Sequence, residues 1–119
     1  MGFGFMSRIK NWLGGKAATT ITYTTSQTSL PVPDDAGGLV LSGTATIATL
    51  TADTSTRGGR LLWLYQAAGT TTLTNNGGST TANQMDLGGG DATLGATDFI
   101  VLYLRIDGVW VRATAVADN

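Results

Sequence analysis

The sequence predicts an all-β domain, on three observations. The longest apolar run, residues 98–115, contains Asp107-Gly108, a dipeptide that favours a two-residue type I′ turn, between two strand-like segments. The 119 residues are rich in threonine, alanine and glycine and contain two prolines, a composition typical of short strands joined by tight turns. Helical spacing of apolar residues is confined to the N-terminus. We therefore predict a compact antiparallel β-sandwich or β-prism-like domain with short strands and a short N-terminal helical arm.

The composition limits the chemistry that the chain can perform. It contains no cysteine or histidine, and all eight of its acidic residues are aspartates. Disulfides, thiolate metal sites and the commonest general base are thereby excluded, so we expect no enzyme, cofactor or metal. No apolar stretch approaches the roughly 20 residues of a membrane-spanning helix, and we expect neither a membrane span nor a nucleic-acid partner.

Residues 1–16 are predicted to be an amphipathic docking arm. Ser7 is a candidate helix cap, and Gly14-Gly15 would end the helix. The arm carries three positive charges, whereas residues 17–119 carry four arginines against eight aspartates. Three interpretations are open: a helix packed on its own domain, a docking peptide for a larger acidic assembly, and a membrane-surface helix. The residues predicted to dock on a partner are Phe5, Met6, Arg8, Ile9, Lys10, Trp12 and Leu13.

Residues 17–38 are predicted to form a threonine-rich strand and a linker. Threonines and apolar residues alternate over 19–25, which indicates a strand. Pro31 and Pro33 lack the backbone donor that a central strand needs, and a cluster of Asp, Ala and Gly follows at 34–38. We interpret the paired aspartates of this cluster as part of a solvated turn.

The β-domain proper is predicted to span residues 39–119. Within 44–52 the apolar alternation slips by one position near Ile47-Ala48, and a β-bulge is the simplest explanation. Turn clusters of glycine, asparagine and aspartate separate the other short strands. The strands before the C-terminal hairpin are predicted at 39–41, 44–52, 61–65, 70–74 and 82–87.

Two strands of this domain, 61–65 and 99–106, are apolar on both faces. Both faces must then be covered, either by a second sheet or by another subunit. Because the domain has little else to cover them, we predict a threefold homo-oligomer. The predicted interface consists of Leu62, Leu64, Ile100, Leu102 and Leu104.

Several short motifs are too weak to assign chemistry. The glycines at 88–90 lack the lysine and the following helix of a phosphate-binding loop. Asp86 and Asp91 could be a glycosidase pair, but a turn-rich chain with eight aspartates brings some together by chance. Arg57 and Arg60 flank two glycines and are better explained by a solvated turn than by an anion site. We therefore predict no catalytic, cofactor-binding or metal-binding residues.

Residues 39–114 resemble a module of structural proteins in tailed-bacteriophage virions, where it occurs in capsid decorations, head fibres and tail fibres. The matching segments are SGTATIATLTA at 42–52, an arginine and an apolar strand at 60–65, TTTLTNNGG at 70–78 and ATDFIVLYLRIDGVWVRA at 96–113. The module's asparagine-rich ladder is only partly present at 81–87, and the N-terminal arm has no counterpart in it. The resemblance implies a trimeric, β-rich virion component without catalysis.

Two functions follow from this resemblance. The first is a capsid decoration (cement) or short head-fibre protein, held to the major capsid protein or another virion protein by its N-terminal arm. The second is a tail-fibre or receptor-binding protein that contacts bacterial surface glycans. Because the chain is short and has its own arm, we expect direct attachment to the capsid surface rather than a place on the tail.

Overall fold

The computed structural model describes residues 18–22, 27–34, 36–52 and 58–118, and within these ranges the chain forms strands and turns without a helix. The all-β prediction is confirmed. The predicted helical arm lies outside the described residues. The strands are β1 (Ala18–Thr22), β2 (Ser29–Val32), β3 (Gly38–Ser42), β4 (Ala45–Ile47), β5 (Thr49–Ala52), β6 (Arg60–Ala68), β7 (Thr71–Leu73), β8 (Met85–Asp86), β9 (Ala92–Leu94), β10 (Asp98–Leu104), β11 (Trp110–Arg112) and β12 (Ala117–Asp118).

These strands form three sheets. Sheet A has the order β1-β3-β6-β10-β11-β8, with β12 paired to β10; sheet B consists of β2 and β5; sheet C has the order β4-β7-β9. The chain passes through the sheets in turn, from β3 in sheet A to β4 in sheet C and β5 in sheet B. It then returns to sheet A with β6 and to sheet C with β7. We call one such passage through the three sheets a winding.

Each winding places its strands parallel to those of the one before. Gly38 pairs with Trp63 in sheet A, and Ala45 pairs with Thr71 in sheet C. The purely antiparallel arrangement predicted from the sequence is therefore wrong for this part of the chain. After one winding through the other two sheets, the chain returns to the first sheet in the same direction. The winding is therefore the long crossover connection that parallel strands need.

The C-terminal third reverses direction and ends the windings. β10 pairs antiparallel with β6, and β9 pairs antiparallel with β7. Trp110 of β11 closes this end of the core: its side chain is fully buried, and its Nε1 donates to the Leu50 carbonyl oxygen at 2.9 Å. Because the bond is buried and spans 60 residues, it ties the closing hairpin to the windings.

Glycines occupy equivalent corners in successive windings. Gly43 (φ 105°) lies between β3 and β4, and Gly69 (φ 80°) lies between β6 and β7. A Cβ on Gly69 would overlap the backbone of Gly43, so the two corners stack closely. Inside this corner the buried Gln66 donates from Nε2 to the Gly43 carbonyl and accepts from Thr71 Oγ1 at 2.5 Å. The buried side chains of Gln66 and Thr71 are thereby hydrogen-bonded within the corner, as buried polar groups generally are.

A third corner explains the slip of alternation near Ile47-Ala48. β4 ends at Ile47 in sheet C and β5 begins at Thr49 in sheet B, so the chain changes sheet at Ala48. The nitrogens of Ala48 and Thr49 both donate to the Thr28 carbonyl, at 2.7 and 3.3 Å. The predicted bulge within one strand is therefore replaced by a corner between two sheets.

One hydrophobic cluster receives side chains from all three sheets. It includes Leu39 from sheet A, Leu50 from sheet B and Ile47 from sheet C, each fully buried. Leu30 and Val32 of β2 belong to the same cluster, so the proline-containing segment forms part of the body and is more than a linker. Pro31 is tolerated because β2 lies at the edge of its sheet.

The predicted C-terminal hairpin is present, but its turn differs from the prediction. The Gly108 nitrogen donates to the Arg105 carbonyl and the Arg105 nitrogen donates to the Val109 carbonyl, both at 2.9 Å. Ile106 and Asp107 are thus the central residues, and of the turn residues only Gly108 has positive φ (88°). This is a turn followed by a left-handed glycine rather than a two-residue type I′ turn, in which both central residues would need positive φ.

Candidate interaction surfaces

The structure separates the two sets of predicted site residues. The docking residues 5–13 lie outside the described ranges. The five residues predicted for the oligomer interface are all completely buried within a single chain, as part of the core between the sheets. Any contact with a second copy through β6 and β10 must therefore use the opposite face of these strands. The five residues are Leu62, Leu64, Ile100, Leu102 and Leu104.

That opposite face is itself apolar and aromatic. Cross-strand pairs place Phe99 beside Tyr65 and Tyr103 beside Leu61. Most of these side chains are partly exposed, and Tyr103 is 39% exposed. We call this the apolar face of sheet A; it comprises Val40, Leu61, Trp63, Tyr65, Phe99, Val101, Tyr103 and Val111.

The outer faces of sheets B and C are instead covered with hydroxyl groups. In sheet C, Thr46, Thr72 and Thr93 occupy adjacent positions across the three strands. In sheet B, Thr49 Oγ1 donates to Ser29 Oγ at 2.9 Å. Hydroxyl rows of this kind suit a solvated face. Of the three outer faces, that of sheet A therefore has the character of a contact surface.

The loop between β7 and β8 completes the second winding and forms a polar basin. Asn83 lies beside β5, where its carbonyl accepts from the Leu50 nitrogen at 2.9 Å and its Oδ1 accepts from the Ala52 nitrogen at 3.2 Å. The basin, of about 620 Å³, is lined by residues 75–81 and Gln84. Every lining residue is asparagine, glutamine, serine, threonine or glycine. A second depression of about 450 Å³ lies between β8 and β11 and is lined by Asp86, Leu87, Gly88, Val111 and Arg112.

The aspartates near these depressions have structural partners. Asp86 accepts from the nitrogens of Gly78 (3.1 Å) and Gly88 (3.3 Å). Asp91 accepts from the Asn75 nitrogen at 2.8 Å. Among the described residues, no group of three or more acidic, histidine or cysteine side chains is placed to hold a metal ion. Asp86 and Asp91 are thus engaged in fixing loop backbone, the role that aspartate commonly has in turns.

One ion pair lies at the tip of the C-terminal hairpin. The Arg105 guanidinium donates to both carboxylate oxygens of Asp107, through Nε at 3.1 Å and through Nη2. This hydrogen bonding lowers the pKa of the Asp107 carboxyl, and a bond from the Val109 nitrogen acts in the same direction. The same guanidinium also reaches the Ser79 carbonyl oxygen at 3.3 Å, so it joins the hairpin tip to the basin.

A repeat in the sequence, which periodicity analysis missed, underlies the stacked corners. Two six-residue segments share glycine, threonine, a small or β-branched residue, threonine and a large aliphatic residue in that order. They are SGTATI at 42–47 and AGTTTL at 68–73. The two segments stack as β4 and β7, twenty-six residues apart. A spacing of this length is typical of solenoid-like windings. Self-comparison of the sequence would have revealed it.

Comparison with known proteins adds no relative. No family model matches the chain, and neither the curated proteins nor the solved structures yield a significant match. Across the ranges that the structure describes, no helix is both long and apolar enough to cross a bilayer.

Proposed function

We propose that this chain is a non-enzymatic structural protein of a bacteriophage virion, a trimeric capsid decoration or short head-fibre protein anchored by its N-terminal arm. One observation carries the proposal: the segments that resemble the virion module make up one continuous stack. Residues 42–52 form its middle winding, 60–65 and 70–78 the next, and 96–113 the antiparallel end. The quoted segments thus correspond to successive structural units of the body, and this correspondence supports the proposal.

The trimeric contact is assigned to the apolar face of sheet A. On these strands its side chains are the apolar groups that a second copy could reach, since Leu62 and Ile100 on the other side are fully buried. The hydroxyl faces of sheets B and C then remain in water. An aromatic patch bordered by polar faces is the usual composition of a protein contact.

The arm supplies attachment in this proposal. Trp12 and its apolar neighbours would be buried in a socket on the shell, contributing about 1.5–3 kcal/mol for each large side chain. Arg8, Lys10 and Lys16 would add attraction to an acidic surface that salt weakens. The basic, amphipathic character of residues 1–16 favours the head over the tail.

The test uses particles that lack this component. Tagged full-length protein and a truncated form without residues 1–16 are mixed with such particles, and bound copies are counted. We expect the truncated body to remain folded and oligomeric but unbound, with Trp12→Ala giving part of that loss and Asn11→Ala little. Equal binding by the truncated form would contradict arm-mediated attachment. Cross-linking mass spectrometry on intact particles would then identify whether capsid or tail proteins are the neighbours.

A second function, receptor binding on the tail, is favoured by the polar loops at the antiparallel end of the body. These loops place asparagine, glutamine and threonine side chains around an open basin. If cross-links join the chain to tail proteins and none to the capsid, this second function replaces the first.

A further inference from the structure

The basin formed by residues 75–81 and Gln84 is a wide, open depression of about 620 Å³. Its walls are fixed by backbone hydrogen bonds. The Asn76 nitrogen donates to the Met85 carbonyl at 2.7 Å, and the Ser79 nitrogen donates to the Asn76 carbonyl at 3.0 Å. The Thr81 nitrogen donates to Ser79 Oγ at 3.0 Å. The loop is therefore held in shape before any ligand arrives.

Side chains on the rim reinforce this shape. Ser79 Oγ donates to Gln84 Oε1 at 2.7 Å, and Asn75 Oδ1 accepts from the Leu87 nitrogen at 2.7 Å. Each bond uses the oxygen of an amide and leaves its nitrogen available as a donor. The amide of Asn76 and the hydroxyl of Thr81 are side-chain groups that the basin's own hydrogen bonds do not use. The basin thus presents several donors and acceptors to a ligand.

The basin is electrically neutral. No lining residue is ionisable. Two charged side chains are bonded to the backbone of the lining: Asp86 accepts from the Gly78 nitrogen, and Arg105 donates to the Ser79 carbonyl while it pairs with Asp107. A bound anion or cation would therefore find no opposite charge in the lining. Amides and hydroxyls both donate and accept, so they match a ligand whose own groups also do both.

We propose that this basin is a binding site for a neutral saccharide. Adjacent hydroxyls of a sugar ring donate and accept at once, which is the pattern offered by Asn76, Thr81 and the Gln84 amide nitrogen. The basin is open at Gly78, since a Cβ there would meet nothing within 4 Å. The inference deepens the second function, contact with bacterial surface glycans, and rests on it; it does not depend on attachment of the arm to a particle.

The experiment is a titration of the full-length, isotope-labelled protein followed by NMR amide shifts. The probes are glucose, galactose and N-acetylglucosamine, with glucuronate and glucosamine as charged comparisons. We expect at least one neutral probe to give saturable shifts confined to residues 75–84, with weak, millimolar affinity. Asn76→Ala and Thr81→Ala should each reduce that affinity several-fold, and both leave the backbone bonds of the loop in place. Thr46→Ala and Thr93→Ala, on the hydroxyl face of sheet C, are matched controls that should change nothing.

Three outcomes would overturn the proposal. The first is that the neutral probes leave residues 75–84 unshifted while the spectrum shows a folded protein. The second is that the shifts persist unchanged in Asn76→Ala and Thr81→Ala. The third is that glucuronate or glucosamine binds more tightly than every neutral probe, which would assign the loop to a charged ligand. Because the readout is sugar binding in solution, its failure leaves the particle-binding test of the arm unaffected.

Discussion

The indole ring of Trp63 lies directly against the α-carbon of Gly38. The two residues are paired across β3 and β6 on the apolar face of sheet A, and a Cβ at Gly38 would overlap the indole ring. Trp63 is only 1% exposed although it is on the outer face. The missing side chain at Gly38 is what lets the ring lie flat on the neighbouring strand.

This relationship predicts that Gly38→Ala destabilises the fold. The new methyl group forces the Trp63 ring out of its place, and overpacking of this kind costs about 1–3 kcal/mol. Gly90→Ala is the matched control, because a Cβ there meets nothing within 4 Å and the backbone has no positive φ. Urea unfolding of both variants would measure the difference. Equal midpoints would show that the ring can move at no cost.

The two buried tryptophans should respond differently to phenylalanine. Trp110 Nε1 donates to the Leu50 carbonyl at 2.9 Å, so Trp110→Phe leaves a buried acceptor without its partner. The lost bond should lower the free energy of unfolding by about 1–3 kcal/mol, in addition to the cost of the smaller ring. Within the described part of the chain, Trp63 Nε1 is buried without a hydrogen-bond partner. Trp63→Phe therefore loses no bond, and thermal melts should rank it as the milder change. The opposite ranking would contradict the role assigned to the Trp110 bond.

Gly108→Val should damage the C-terminal hairpin. Its φ of 88° lies in the left-handed region, where a β-branched residue costs about 1–3 kcal/mol. Asp107→Ala leaves that conformation available and loses a partly exposed ion pair and the bond from the Val109 nitrogen, so its thermal midpoint should fall less. A Gly108→Val variant as stable as the parent would mean that the turn can adopt another form.

Asp107 should stabilise the fold by an amount that decreases in acid. The hydrogen bonds from Arg105 lower its folded pKa, so its stabilising contribution is complete above the unfolded value of about 3.9 and is lost as pH falls through the folded pKa. Asp107→Asn should thus be less stable than the parent at pH 7, with the gap closing in acid. Urea midpoints across this range provide the measurement. In an Arg105→Gln background the gap should be smaller at every pH.

Oligomerisation should depend on the apolar face of sheet A. Tyr103→Arg places a charge on its most exposed aromatic residue and should convert a trimer into monomers in light scattering. Thr93→Arg puts the same charge on the hydroxyl face of sheet C and should leave the mass unchanged. A monomeric parent protein would remove the basis for the trimer.

The sequence predicted the β class and the C-terminal hairpin because apolar alternation and the Asp-Gly dipeptide are local signals. It did not reveal which face of a doubly apolar strand lies inward. In the sequence pattern, Leu62 and Tyr65 count equally as apolar strand residues. Only the packing of three sheets around one core buries Leu62 completely and leaves Tyr65 partly exposed. The parallel pairing was missed for a similar reason, since Gly43 and Gly69 meet only after a whole winding.

The basin was also beyond sequence reasoning. Asn75–Gly78 was readily interpreted as a turn, but the bonds that shape it come from distant residues, including the Met85 carbonyl and Asp86. A polar loop becomes a candidate site only when such contacts fix its geometry, and no local pattern encodes them.

The repeat that stacks Gly43 over Gly69 makes the height of the body adjustable. Duplicating residues 43–68 would insert one further layer, about 5 Å tall, between two existing ones. The antiparallel end would keep its strand pairing, because β10 pairs with β6 and β9 pairs with β7, both in the last winding. The number of windings and the residues of the antiparallel end can thus vary independently. Related chains could hold the same antiparallel end at different distances from a surface by gaining or losing whole windings.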